Sequence, residues 1–128
     1  MRRLDLARSP SIESKPLKRV GSVPFSSVAG GDLVRLDHPP FDVLVALVDG
    51  VPVAIEDSCN HAGASLCEGG RSEERPDCVV CPMHGYVFSM KTGALIAPRG
   101  LCGDQRRFVA KIEDDVVVIW DPFELTIE

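Results

Sequence analysis

The segment from residue 41 to residue 57 reads FDVLVALVDGVPVAIED. Two apolar runs rich in β-branched residues flank Asp49-Gly50, and an Asp-Gly pair in that setting signals a two-residue hairpin turn. The expected element is an antiparallel β-hairpin. Working outward, the same pattern of short apolar runs and turn residues recurs. Upstream, VPFSSV (23–28) reads as a first short strand, and DLVRLD (32–37) alternates polar and apolar residues. Downstream, RPDCVVCPMHG and GYVFSMKTGALI give short runs joined at Lys91-Thr92-Gly93, and RRFVAKIEDDVVVIW gives a last hairpin turning at Glu113-Asp114-Asp115. No window sustains apolar residues at spacings of three and four, so no long helix is expected. There is no internal repeat. The fold class expected is all-β, an antiparallel sandwich of short strands.

A chain of 128 residues holds one compact domain with a real core and is too short for two ordinary ones. Residues 1–20 carry six basic and two acidic side chains, a surplus of +4. The rest carries eight basic and seventeen acidic ones, a balance of −9 within a net charge of −5. Residues 1–20, with RSPSIESKP, are expected to be a flexible basic tail, and residues 21–128 the folded domain. An acidic body argues against nucleic-acid binding and suits docking on a basic patch of a protein partner. No run of 18 apolar residues is present, so no membrane span is expected. Arg2-Arg3 lacks the apolar segment of an export signal, which leaves a reducing cytoplasm as the expected location.

Five cysteines, Cys59, Cys67, Cys78, Cys81 and Cys102, make a poor disulfide framework because the count is odd. Two of them stand beside histidines on loops: Cys59-Asn60-His61, then a 19-residue spacer, then Cys81-Pro82-Met83-His84. Two thiolates and two imidazoles can complete one metal site. One candidate is a Cys₂His₂ structural zinc, whose knuckles group like with like. The other is a mixed-ligand [2Fe–2S] cluster with two Cys on one iron and two His on the other. Each loop would then give one ligand to each iron, which explains the mixing.

CNHAGASL (59–66) with CPMHGYVFSMKTGALIAP (81–98) resembles the two cluster-binding loops of Rieske proteins. The likeness includes Gly63-Ala64-Ser65-Leu66, Pro82, Gly85 and the Thr92-Gly93 turn, and the strand pattern agrees over about residues 21–120. The resemblance implies a Rieske fold with a small cluster-binding subdomain over about residues 57–98. It implies one [2Fe–2S] cluster per chain on Cys59, His61, Cys81 and His84, the cysteines on the iron that stays ferric and the histidines, near the surface, on the iron that takes the electron. The spacer is a few residues longer than usual in the family, and the surplus is assigned to GGRSEERPD (69–77), read as an idle polar turn.

Respiratory-complex Rieske proteins carry a bridged pair of extra cysteines where this chain has Ala64 and Met83, and hydroxyl donors where it has Tyr86 and Phe88. Fewer donors to sulfur imply a low potential, about −150 mV, and hence the branch of ferredoxins and oxygenase domains. No flavin or nicotinamide fingerprint is present, nor the large domain of an oxygenase α-subunit. The expectation is a stand-alone ferredoxin, not itself an enzyme, that takes electrons from a flavin-dependent reductase and gives them to a terminal oxygenase. The alternatives are a small Rieske-like subunit of a larger oxidoreductase such as a nitrite reductase, and a zinc-stabilised binding module. Cys67, Cys78 and Cys102 read as packing residues, Pro98 as a plain turn, His38 as a loop residue, and Met83 as a shield over the cluster.

Overall fold

A computed structural model describes residues 18–38, 42–59, 63–83, 85–98, 100 and 102–122. Nine strands are present among them: β1 (Lys18–Pro24), β2 (Val34–Leu36), β3 (Val43–Val48), β4 (Val51–Glu56), β5 (Cys78–Val80), β6 (Val87–Ser89), β7 (Leu95–Ala97), β8 (Arg107–Glu113) and β9 (Val116–Asp121). Six form an antiparallel sheet in the order β1-β9-β8-β4-β3-β2, and three form a small antiparallel sheet, β5-β6-β7.

The hairpin announced by the sequence forms over Val43–Glu56. Val48 pairs with Val51 across Asp49-Gly50, whose φ angles of 54° and 80° are those of a type I′ turn. Strand β3 reads VLVALV without a polar residue because both its faces are covered. Val43 and Val45 join an inner core with Val28, Phe108, Val117 and Ile119. Leu44, Ala46 and Val48 face a second core with Leu66, Val79, Phe88 and Met90, contributed by the small sheet and its loops. The two outermost strands of the large sheet approach each other, since a Cβ on Gly21 of β1 would lie 3.3 Å from Leu36 of β2. The large sheet therefore curls around the inner core, and the small sheet sits on its outer face.

Three expectations need correction. VPFSSV is not one strand: β1 ends at Pro24, and Phe25–Ala29 makes a one-turn helix, α1, that drops Val28 into the inner core. Strand β1 also begins at Lys18, so Lys18 and Arg19 pair with β9, and Val20 lies at the irregularity that follows, rather than trailing as tail. Residues 1–17 lie outside the described residues. Finally, residues 69–77 are not one idle turn. The Ser72 N–H donates to the Cys78 carbonyl, the Val80 N–H donates to the Gly70 carbonyl, and Arg71 bridges Val79. Gly70–Ser72 thus runs as a short partner beside β5, leaving residues 73–77 as the tip.

Candidate metal centre

Cys59 follows β4 by three residues and Cys81 follows β5 directly. Each opens a turn with the same backbone wiring. The Cys59 N–H donates to the Ala64 carbonyl (2.8 Å), and the Gly63 N–H donates to the Cys59 carbonyl (2.6 Å). The Cys81 N–H donates to the Tyr86 carbonyl (2.8 Å), and the Gly85 N–H donates to the Cys81 carbonyl (3.0 Å). Gly63 and Gly85 both take φ of 76°, a conformation that glycine adopts without a Cβ penalty. Two loops of different sequence therefore close in the same way. Each runs from a buried cysteine, 1% exposed, to an exposed glycine.

The two loops are tied side by side. Gly69 packs so closely against the strand leading to Cys81 that a Cβ there would lie 1.7 Å from the Val80 carbonyl oxygen. The bond between Val80 and Gly70 (2.9 Å) holds this contact one residue before Cys81. Cys59 and Cys81 belong to the same buried cluster as Leu66, Phe88 and Met90. His61 and His84 lie outside the described residues, as do Asn60 and Ala62.

None of the five cysteines is joined in a disulfide. Three are held as neutral thiols. Burial pushes the Cys67 thiol far above its ordinary value, and the neighbouring Asp57 raises it further by charge and by accepting its hydrogen bond. Cys78 is raised by burial and then by Asp77, and Cys102 by burial and then by the charges of Asp104 and Cys81. This agrees with the packing role expected for them. Cys59 and Cys81 alone open the twin loops. The donor set they offer, two buried unbridged sulfurs on facing loops of one core, fits a thiolate-bound metal group.

Met83 is 58% exposed and stands at the surface of the second loop. The Ala97–Pro98 peptide is cis, a detail the sequence does not announce. Three residues near the site were also not singled out from sequence. Asp57, 2% exposed, accepts the Ser65 hydroxyl (2.6 Å) and the Cys67 N–H (2.9 Å). Gln105 donates its side-chain amide to the carbonyls of Glu56 (2.9 Å) and Ser58 (2.8 Å), while its N–H reaches the Gly93 carbonyl (2.7 Å). Arg71 is the third. The only available signal was an acid closing a buried strand just before a Cys/His loop; nothing local marks Gln105.

Residues 23–101 match the family model of the Rieske [2Fe-2S] domain. The chain is 35% identical over 92 residues to the ferredoxin component of biphenyl 2,3-dioxygenase from Rhodococcus jostii strain RHA1, covering 72% of this chain and 82% of that protein. Among solved structures it is similar to the Sphingomonas yanoikuyae B1 ferredoxin, with a TM-score of 0.67, 28% identity, and coverage of 84% of this chain and 100% of that one. It is also similar to a chain in a complex of reduced oxygenase and oxidized ferredoxin of carbazole 1,9a-dioxygenase, with a TM-score of 0.69, 25% identity, and coverage of 80% and 92%.

Proposed function

The chain belongs to the Rieske [2Fe–2S] domain family, and from that premise we propose that it is a ferredoxin taking single electrons from a flavin-dependent reductase and passing them to a terminal oxygenase. Its cofactor is one [2Fe–2S] cluster. We assign the ligands to Cys59, His61, Cys81 and His84. When bound, the cluster supplies a one-electron redox centre.

The observation that carries this reading is the pair of equivalent turns, each with a buried, unbridged cysteine at its base. Leu66, Phe88 and Met90 pack with the two sulfur-bearing residues and exclude water from that side. Gly63, Pro82, Met83 and Gly85 are exposed at the loop ends, which suits electron exit through a docked partner. The acidic body favours a basic docking patch on that partner. An oxygenase as acceptor is supported by the relatives, which are ferredoxin components of dioxygenases. A flavin-dependent reductase as donor is our reading of the likeness to relatives named as ferredoxin components of dioxygenase systems. Among the described residues no helix is long and apolar enough to cross a membrane. Five cysteines with no disulfide among them suit a reducing compartment, and we place the protein in the cytoplasm.

The test is to purify the protein anaerobically, assay iron and zinc, and record absorption and EPR spectra before and after dithionite. Two irons per chain and a rhombic EPR signal on reduction are expected, both lost in Cys59→Ser and Cys81→Ser. A colourless protein with one zinc would overturn the electron-carrier reading.

A further inference from the structure

Asp57 is a buried carboxylate with an unusual set of partners. One oxygen accepts the Ser65 hydroxyl at 2.6 Å and the other accepts the Cys67 N–H at 2.9 Å. Its own carbonyl accepts the Leu66 N–H at 2.8 Å, and its N–H donates to the Asp42 carbonyl at 3.1 Å. Ser58 and Ser65 form an isolated β-bridge beside it. Residue 57 thus grips the far end of the first loop, Ser65–Cys67, while itself standing two residues before Cys59, where that loop begins. Two residues of backbone span at most about 7 Å. On the opposite side of the same segment, Gln105 fixes the carbonyls of Glu56 and Ser58.

We propose that Asp57 is a positioning residue for the first ligand loop, closing it through Ser65 and Cys67; that the loop carries ligands rests on the ferredoxin reading, and the clamp itself does not.

Three variants of the full chain test this. Asp57→Asn keeps the shape and can still accept the Cys67 N–H and pair with Ser65. Asp57→Ala loses both contacts, and Ser65→Ala loses one. In the protein as purified, amide exchange at Cys67 is expected to quicken about tenfold or more in Asp57→Ala, to quicken near Leu66 and Cys67 in Ser65→Ala, and to stay near wild type in Asp57→Asn. Iron content and EPR line shape are expected to be kept in Asp57→Asn and disturbed in Asp57→Ala. Unchanged exchange at Cys67 in both Asp57→Ala and Ser65→Ala overturns the clamp, and so does an Asp57→Asn that behaves as Asp57→Ala does. If wild-type protein binds no iron, the ferredoxin reading falls, while the exchange rates still decide the clamp.

Discussion

Gly63 and Gly85 occupy the same place in two different loops. Each stands four residues after a cysteine, each has φ of 76°, and each returns its N–H to that cysteine's carbonyl. Among the described residues, chain neighbours aside, no heavy atom lies within 4 Å of where a Cβ on either would stand. Against these residues alanine at either position meets only the left-handed backbone penalty, about 1–2 kcal/mol. Gly69 and Gly93 are different. A Cβ on Gly69 would lie 1.7 Å from the Val80 oxygen, and one on Gly93 would lie 2.3 Å from the Gln105 oxygen, with φ of 81° in addition. Backbone must move in both. Chemical denaturation of the four alanine variants should give two mild losses and two severe ones, the severe pair losing about 3 kcal/mol or more. Equal losses in all four would contradict this division.

Arg71 joins three separate segments. Its guanidinium donates to the carbonyls of Gly31 (3.0 Å), Leu47 (2.7 Å) and Pro76 (2.8 Å), linking the end of α1, the end of β3 and the 73–77 tip. Arg71 serves each acceptor from a different nitrogen, Nε, Nη1 and Nη2, whereas the three donors of lysine radiate from one nitrogen and do not span that spread. Arg71→Lys should lower stability nearly as much as Arg71→Met, by about 2–3 kcal/mol, since one of the three bonds is partly buried and two are exposed. The shift in urea midpoint checks this. A full rescue by lysine would show that charge alone, not the fork, holds the segment.

The reach of the sequence is uneven for physical reasons. Asp49-Gly50 and the all-apolar β3 are local signals, and the hairpin formed where they placed it. Alternation alone misread VPFSSV, because whether Val28 enters the core from a strand or from a helical turn depends on the curl of a sheet whose other strands lie far along the chain. The Cys/His spacing singled out Cys59 and Cys81, and the structure brings these two into one core. Arg71, Asp57 and Gln105 escaped notice for one reason. Their partners are main-chain carbonyls, hydroxyls or amides 5 to 49 residues away, and backbone partners leave no trace in side-chain patterns.

Cys67 predicts an alkaline weakness. Its thiol is raised above the ordinary value of 9.0, first by burial and then by Asp57. In the unfolded chain this thiol ionises as pH passes about 9, while in the folded chain it stays protonated. The unfolded state then holds fewer protons, so stability is fully present below pH 9 and falls as pH rises above it. The slope from this group is at most about 1.4 kcal/mol per pH unit, lessened by solvent screening of a half-buried thiol. Melting temperatures of wild type and Cys67→Ala between pH 7 and 11 test the sign. Wild type should lose more on the alkaline side than the variant does, and parallel curves would remove Cys67 as the cause.

Phe88 concerns the potential. It is fully buried in the same cluster as Cys59 and Cys81 and has no hydrogen to donate. A hydroxyl donor near sulfur stabilises the reduced, more negative centre, so its lack favours a low potential, about −150 mV. Phe88→Tyr adds a donor at this buried position. The added hydroxyl should raise the potential if it finds sulfur, and should cost about 1–3 kcal/mol of stability if it finds no partner. Because the ring is packed in a core shared with both sulfur-bearing residues, the first outcome is expected. Protein-film voltammetry on wild type and Phe88→Tyr decides it, with thermal melts alongside. A wild-type potential well above zero would refute the low-potential assignment. A variant that is less stable at an unchanged potential would show that the added hydroxyl does not reach sulfur.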